Sequence, residues 1–169
     1  MHETDEELDA LQELLDRSAA AAGPHMSGII GPDRRVDARD LCSRLQGMRL
    51  LVLTTVTADG RPMAGPVDAY FLHGAFHFSS GRDSVRMRHL AARPVLSATH
   101  LPGEEFAVTV HGRAELYELN DPDHPQQRRA MLDHYLPLQG PSFQEWLDRV
   151  NPIGARVIAD KIFTFQTDS

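Results

Sequence analysis

The feature that most constrains the fold is a series of short β-type segments joined by tight turn signals. Asp59-Gly60 and His73-Gly74 each separate two segments rich in Val, Thr and aromatic residues. Both residues of an Asp-Gly pair tolerate the positive φ of a two-residue hairpin turn. We therefore predict three strands here, over 50–57, 63–72 and 75–79. The composition of the first predicts burial on both faces, and Pro66 predicts an edge or a bulge in the second.

The second half of the chain adds further strands and helices. His111-Gly112 predicts a bulge in one strand, and Asp160-Lys161 interrupts another. A capping-box pair, Ser142 and Glu145, predicts the start of a helix that Asn151-Pro152 ends. The predicted helices are 84–93, 125–135 and the one from residue 142, and the predicted strands are 95–100, 105–116 and 156–165.

This order of elements determines the predicted fold class. Strands and helices do not alternate regularly, which argues against a doubly wound parallel sheet. Six short, mostly antiparallel strands are typical of a small barrel, because closure removes exposed sheet edges. We predict a mainly β fold with flanking helices, built on a six-stranded antiparallel β-barrel.

The N-terminal part is predicted to be a helical arm followed by a linker. Thr4 and Glu7 resemble a capping box, leucines recur at helical spacing, and Gly23-Pro24 ends a helix over 4–22. Residues 24–35 are predicted to be a linker, and a short helix is expected to start near Asp37. We therefore predict an acidic helical arm with its linker over 1–36 and a cofactor-binding barrel domain over 37–169. Packing of the arm on the body or on a partner subunit is favoured over an independent binding role.

Charge and cysteine content exclude several classes of function. The net charge is -7, and residues 1–22 carry seven acids and one base, or -6, which leaves -1 for the other 147 residues. This balance argues against a mainly electrostatic nucleic-acid binder, but the near-neutral body is compatible with an anion site. The single cysteine, Cys42, excludes an intrachain disulfide and a Cys-based metal cluster. We expect a cytoplasmic protein, without a signal peptide or membrane span, that holds no metal.

The segment from Phe78 to Arg86 is the best candidate for a functional site. A strand ends there, a loop rich in hydroxyl groups follows, and a helix begins, an arrangement that favours an anion. At about 100° per residue, Arg86 borders the apolar side of this helix, whereas Arg88 points to solvent. Alternatively, the loop only makes a turn, and Arg86 pairs with a structural carboxylate. The predicted phosphate donors are Ser79, Ser80, Ser84 and Arg86.

Three segments in this order resemble the flavin-binding split barrels of the pyridoxamine-phosphate-oxidase-like family. The resemblance covers about 50–116 and, more thinly, 155–165, and no single short motif in it is diagnostic. The segments are 53–62, with the turn Asp59-Gly60-Arg61-Pro62; 76–80, with Ser79-Ser80; and 84–94, with Arg86, Leu90 and Pro94.

The resemblance implies a six-stranded split barrel and a two-fold homodimer with a flavin-type cofactor in a groove between subunits. It implies that Ser79, Ser80, Ser84 and Arg86 hold the cofactor phosphate. It also places the backbone of the second strand, at Val67, Asp68 and Ala69, beside the ring system. In the vitamin-processing oxidases an Arg and a Lys accompany the flavin where this chain has Gly65 and Tyr70, and Val85 replaces a second phosphate base. These departures argue against true pyridoxamine-phosphate oxidase activity.

The expected function is an oxidoreductase that uses FMN or a deazaflavin coenzyme and transfers hydride to or from a small organic substrate. No catalytic side chain is identified, because the cofactor would carry the chemistry. The alternatives are a haem-binding or haem-processing protein, with His111 or His134 as the axial ligand, and a non-catalytic cofactor-binding module. Phe143 and Trp146 share a helix face and are predicted to be core or dimer contacts.

Overall fold

Six antiparallel strands close into a barrel, in the order β1-β2-β3-β6-β5-β4. This computed structural model describes residues 2–167 and confirms the predicted fold class. The strands are β1 (Met48–Val56), β2 (Pro62–Leu72), β3 (Ala75–Ser80), β4 (Val95–His100), β5 (Phe106–Glu118) and β6 (Ile153–Gln166).

Helices flank the barrel and lie mostly where the sequence predicts them. The linker prediction for 24–35 is wrong in part, because Pro24 occupies the first position of a short helix, where its missing N–H costs nothing. The capping-box prediction at Ser142 is also wrong, since Pro141 is the N-cap and the Ser142 hydroxyl donates to the Gln139 carbonyl. The helices are α1 (Asp5–Ala20), α2 (Pro24–Ile29), α3 (Ala38–Arg44), α4 (Val85–Ala92), α5 (Pro125–Gln139) and α6 (Ser142–Val150), with a 3-10 turn at Pro32–Arg34.

The apolar side chains form two cores. The main core fills the barrel and continues to the buried faces of α1 and α3, where Leu11 and Leu41 are buried with Cys42. The second core lies outside the barrel, where the hairpin of α5 and α6 covers β2 and β3. It contains Tyr70, Leu72, Leu119, Met131, Leu132, Phe143 and Leu147.

The two longest strands, β5 and β6, pair across the predicted bulge. Their register shifts between His111 and Gly112, and the opposing residue of β6, Asp160, has no strand-pairing partner in β5. A Cβ atom at Gly112 would overlap the carbonyl oxygen of Ile158, so the bulge requires glycine. Two residues beyond Asp160, the Ile162 N–H donates to the Ser18 hydroxyl of α1 at 3.0 Å. The first helix therefore satisfies a backbone donor beside the irregularity.

The β2–β3 hairpin has the predicted turn and the predicted local edge. His73 and Gly74 both have positive φ, at 52° and 70°, as a tight hairpin turn requires. Within β2, only residues 69–72 pair with β3. Pro66 therefore lies where β2 is hydrogen-bonded to β1 alone, and its missing N–H leaves no ladder bond unmade.

The prediction that β1 is buried on both faces is wrong for the single chain. Leu51 and Leu53 point into the barrel and are buried, whereas Leu50 and Val52 point outward and are 57% and 51% exposed. Strand geometry sends alternate side chains to opposite faces, and no described element covers the outer face of β1 at these two residues.

Candidate functional site

A groove of about 560 Å³ lies between β2, the end of β3, the start of α4 and the α5–α6 hairpin. The fold brings five of the seven predicted cofactor residues to this groove, namely Val67, Asp68, Ser79, Ser80 and Arg86. The other lining residues are Pro66, Gly81, Met131, Tyr135, Gln139, Phe143, Trp146 and Pro152.

Serine hydroxyls lie at the end of the groove where β3 stops. The Ser79 hydroxyl donates only weakly, to the sulfur of Met131 at 3.8 Å, and the Ser80 side chain has no hydrogen-bond partner within residues 2–167. Ser84 lies outside the groove lining, where its Oγ caps α4 by accepting from the Met87 N–H at 3.3 Å. Two of the three predicted hydroxyl groups therefore face the groove and are available to a ligand.

Arg86 places a positive charge in the groove. Its Nη2 donates to the Pro66 carbonyl at 2.8 Å, and the guanidinium passes over Gly65, where a Cβ atom would lie 3.4 Å from Nη2. Partial burial lowers the pKa of Arg86 from its usual value. No carboxylate within the described chain forms an ion pair with it, whereas Arg88 is exposed, as helical geometry predicts. Arg86 therefore keeps free donors for an anionic group.

A second arginine, Arg82, has a different role in the same loop. Its Nη1 donates to Glu118 Oε1 at 2.8 Å, its Nη2 donates to Glu118 Oε2 at 2.5 Å, and Nη2 also contacts the Asn151 carbonyl. This pairing raises the pKa of Arg82 and lowers that of Glu118. The ion pair attaches the loop after β3 to the end of β5, and its charge is already balanced.

Aromatic residues of the helical hairpin also line the groove. The ring centroids of Tyr135 and Phe143 are 4.7 Å apart, and those of Phe143 and Trp146 are 5.5 Å apart. Phe143 belongs to the second core, as predicted, but it also lines the groove together with the partly exposed Trp146. The sequence gives no signal for this role, since it depends on how the hairpin packs on β2.

Tyr135 also makes a hydrogen bond to Asp68, one of the predicted groove residues. Its hydroxyl donates to Asp68 Oδ2 at 2.5 Å. Burial and the neighbouring carboxylate raise the pKa of Tyr135. The Asp68 carboxylate is thus held by the helical hairpin, and Tyr135 is a groove residue that sequence reasoning missed.

The remaining candidates lie away from the groove lining. Ala69 is fully buried in the barrel, so only its backbone is relevant to the prediction made for it. His111 lies on the outer face of β5, with Nδ1 2.8 Å from the Ser97 hydroxyl. His134 lines a different cavity, beside Gly47 and Met48. Neither of the two histidines considered as haem ligands therefore faces the groove.

Two classes of feature are not found in residues 2–167. No group of three or more His, Cys, Asp or Glu side chains is arranged to hold a metal ion. No helix in this range combines the length and the apolar character needed to cross a bilayer.

Solved structures show the same fold at low sequence identity. A conserved hypothetical protein, Rv2991, from Mycobacterium tuberculosis is 17% identical, with a TM-score of 0.66 over 80% of this chain and 88% of that one. The haem storage protein HutZ from Vibrio cholerae is 15% identical, with a TM-score of 0.59 over 76% and 90%. An F420 reductase is 16% identical, with a TM-score of 0.53 over 71% and 93%.

Sequence comparison identifies the family. No curated protein matches the chain, but a family profile does. The sequence profile of the pyridoxamine 5'-phosphate oxidase family matches residues 41–147. This range contains the first five strands and the groove residues Val67 to Phe143, and it covers more than half of the protein. The chain therefore belongs to the pyridoxamine 5'-phosphate oxidase family.

Proposed function

We propose that the protein is an oxidoreductase that binds a flavin-type cofactor, FMN or a deazaflavin coenzyme, in the groove and acts on a small organic substrate. The observation that carries this proposal is the guanidinium of Arg86. It lines the groove together with Ser79 and Ser80 and has no carboxylate partner in the described chain. A partly buried arginine of this kind favours an anionic ligand group.

The residues of the groove fit such a cofactor. Two available hydroxyl groups and one unpaired guanidinium are suitable donors for a phosphate. The groove volume, about 560 Å³, lies in the range of pockets that hold molecules of this size. The aromatic side chains of Tyr135, Phe143 and Trp146 line the groove and can pack against a ring system.

In this proposal the protein binds and orients, and it excludes water from the ring. Arg86, Ser79 and Ser80 hold the phosphate, and the backbone at 67–69 lies beside the ring. Tyr135 keeps the helical hairpin against Asp68 and so closes one side of the groove. A bound flavin or deazaflavin would supply the two-electron chemistry. We assign no catalytic side chain.

We further propose that the functional unit is a homodimer that forms through the outer face of β1 and β4. Leu50, Val52, Val95 and Leu101 are each more than half exposed. Strand register sets the outward orientation of Leu50, Val52 and Val95, and Leu101 directly follows β4. Exposed apolar residues in a cluster are typical of protein interfaces.

Strand register also connects this apolar face with the groove. Leu50 and Val52 pair with Asp68 and Pro66 of β2, and both β2 residues line the groove. A second subunit on this face would therefore border the groove, as the family resemblance implies. The single buried Cys42 is consistent with a reducing cytoplasm, which we propose as the location.

A haem-binding function is the second candidate, and the likeness to HutZ supports it at the level of the fold. The groove gives it less support, since no described histidine lines the groove. His111 lies on the outer barrel face, in register with Ser97 of β4, and would approach the seam of the proposed dimer. Haem titration in parallel with the flavins separates the two functions.

The test of the proposed function is the effect of Arg86→Ala on cofactor affinity. Loss of a charge-assisted contact of about 1.5–3 kcal/mol predicts a roughly 10- to 150-fold weaker binding of FMN or of the deazaflavin coenzyme. Fluorescence titration measures this affinity, with Trp146 in the groove as the reporter. Arg88→Ala is the matched control, because Arg88 is exposed on the same helix. Unchanged affinity for both cofactors in Arg86→Ala contradicts the proposal.

A further inference from the structure

A second cavity, of about 520 Å³, lies on the outer surface of the barrel over β3, β6 and β5. It is bounded by the first turn of α1, the β2–β3 turn and the start of α5, and it shares no lining residue with the groove. We call it the histidine pocket. Its lining residues are Glu7, His73, His77, Glu115, Leu116, Tyr117, His124, Gln127 and Arg156.

The floor of the histidine pocket is polar but uncharged. The Tyr117 hydroxyl lies 3.3 Å from His77 Nδ1 and 3.3 Å from the Tyr70 hydroxyl. Burial lowers the pKa of His77 to about 3 and raises that of Tyr117 to about 12, so these two groups are neutral at ordinary pH. The Tyr117 ring lies across Gly154, where any Cβ atom would overlap it. The floor is therefore fixed in position.

Two opposite charges stand above this floor without protein partners. Arg156 of β6 pairs in register with His77 on one side and with Glu115 on the other. Within residues 2–167, neither the Arg156 guanidinium nor the Glu115 carboxylate forms an ion pair or a side-chain hydrogen bond. By contrast, Glu7 is engaged by His73 at 2.9 Å and by the Thr4 N–H at 2.8 Å. The pocket thus presents one unpaired cation and one unpaired anion on adjacent strands.

Two rings, inclined at 40° to each other, form a wall beside these charges. The ring centroids of Tyr117 and His124 are 4.2 Å apart, and Leu116 extends the same lining. His124 is the N-cap residue of α5, but its side chain makes no capping hydrogen bond. Its ring is therefore part of the pocket wall, and it can pack against an aromatic ligand.

We propose that the histidine pocket binds a small aromatic zwitterion such as a free aromatic amino acid. The ligand carboxylate pairs with Arg156, the ammonium group pairs with Glu115, and the ring packs against Tyr117 and His124. A ligand with only a carboxylate would leave the negative charge of Glu115 unbalanced. A ligand with only an ammonium group would leave the positive charge of Arg156 unbalanced. A zwitterion meets both charges, and the guanidinium fork matches a carboxylate geometrically.

Three related probes test this proposal on the full chain by calorimetric titration. L-phenylalanine carries both charges, 3-phenylpropionate carries only the carboxylate, and 2-phenylethylamine carries only the ammonium group. We expect L-phenylalanine to bind about tenfold more tightly than either analogue, since each charge-assisted contact contributes on this scale. Arg156→Gln removes its advantage over 2-phenylethylamine, and Glu115→Gln removes its advantage over 3-phenylpropionate.

The controls separate this pocket from the groove. Arg149→Gln removes an equal charge from an exposed position of α6 and leaves all three affinities unchanged. Trp146 is the only tryptophan and lies in the groove, so its emission stays constant while the imidazole NMR signals of His124 shift. Circular dichroism verifies that each variant is folded. Equal affinities for the three probes, an unaltered affinity in Arg156→Gln, or a response of Trp146 alone overturns the proposal.

Discussion

Burial lowers the pKa of both Arg86 and His77, but the consequences for their charge differ. Arg86 is only partly buried and keeps its charge, because a guanidinium remains protonated even when its pKa is lowered. His77 is 2% exposed and beside Arg156, so its imidazole is neutral well below the pH at which histidine ordinarily titrates. One side chain is suited to an anion, and the other makes stability depend on pH.

We predict that the free energy of unfolding falls as the pH drops from about 6.5 towards 3, in part because of His77. The folded-state pKa, about 3, lies below the value of 6.5 for a free histidine. In that window protons bind preferentially to the unfolded chain, with a slope of up to about 1.4 kcal/mol per pH unit. Urea unfolding between pH 4 and 7.5 should show a shallower slope for His77→Gln than for the native chain.

The control for this prediction is His25→Gln, at an exposed position of α2. Carboxylates contribute equally to all three proteins, so the difference between slopes isolates His77. A slope in His77→Gln that equals the native slope at every pH contradicts the prediction.

At the scale of the elements, the contacts of α1 indicate whether the N-terminal arm unfolds separately from the barrel. The sequence predicts an arm over 1–36 that packs on the body or on a partner subunit, and Leu8, Leu11 and Leu15 of α1 belong to the same core cluster as the barrel residues. Ser18 also accepts a backbone hydrogen bond from β6. These contacts lead us to expect that α1 unfolds together with the barrel.

Leu11→Ala tests this expectation. Leu11 is 3% exposed, so truncation should lower the free energy of unfolding by about 2–5 kcal/mol. Far-UV circular dichroism and Trp146 fluorescence should report one coincident transition. Leu138→Ala, at a 69% exposed position of α5, should change stability by less than about 0.5 kcal/mol. Two separate transitions in the native chain would show that the arm is an independent unit.

Local signals in the sequence predict most of the elements and much of the groove. Turn pairs such as His73-Gly74, the N-cap at Ser84 and the bulge at His111-Gly112 depend on neighbouring residues only, and the structure confirms all three. The inward position of Arg86 follows from helical spacing alone. These features require no knowledge of distant contacts.

The features that the sequence does not predict depend on packing between distant segments. Tyr135 reaches the groove because the α5–α6 hairpin folds back 67 residues along the chain to Asp68. The histidine pocket joins α1, β3, β5, β6 and α5. The exposure of Leu50 follows from which face of β1 the barrel encloses, and composition does not distinguish the two faces.

For the whole molecule, the proposed dimer rests on the exposed apolar residues of β1 and β4. Val52→Asp should convert the proposed dimer to a monomer, because a carboxylate buried in an apolar interface lacks a partner. Sedimentation equilibrium at micromolar concentration measures the mass. Leu138→Asp places the same charge on a residue outside this face and should leave the dimer intact. A native chain that sediments as a monomer contradicts the proposed dimer.

The pairing of Arg82 with Glu118 and Asn151 has an evolutionary consequence. It joins Glu118, the last residue of β5, to Asn151, which lies two residues before β6. The points at which the chain leaves and re-enters the barrel are therefore held together by one arginine. The 34 residues between these strands can lengthen, shorten or be exchanged while the scaffold persists. This segment supplies Tyr135, Phe143 and Trp146 of the groove. Changes confined to it can therefore alter ligand preference while the barrel is retained.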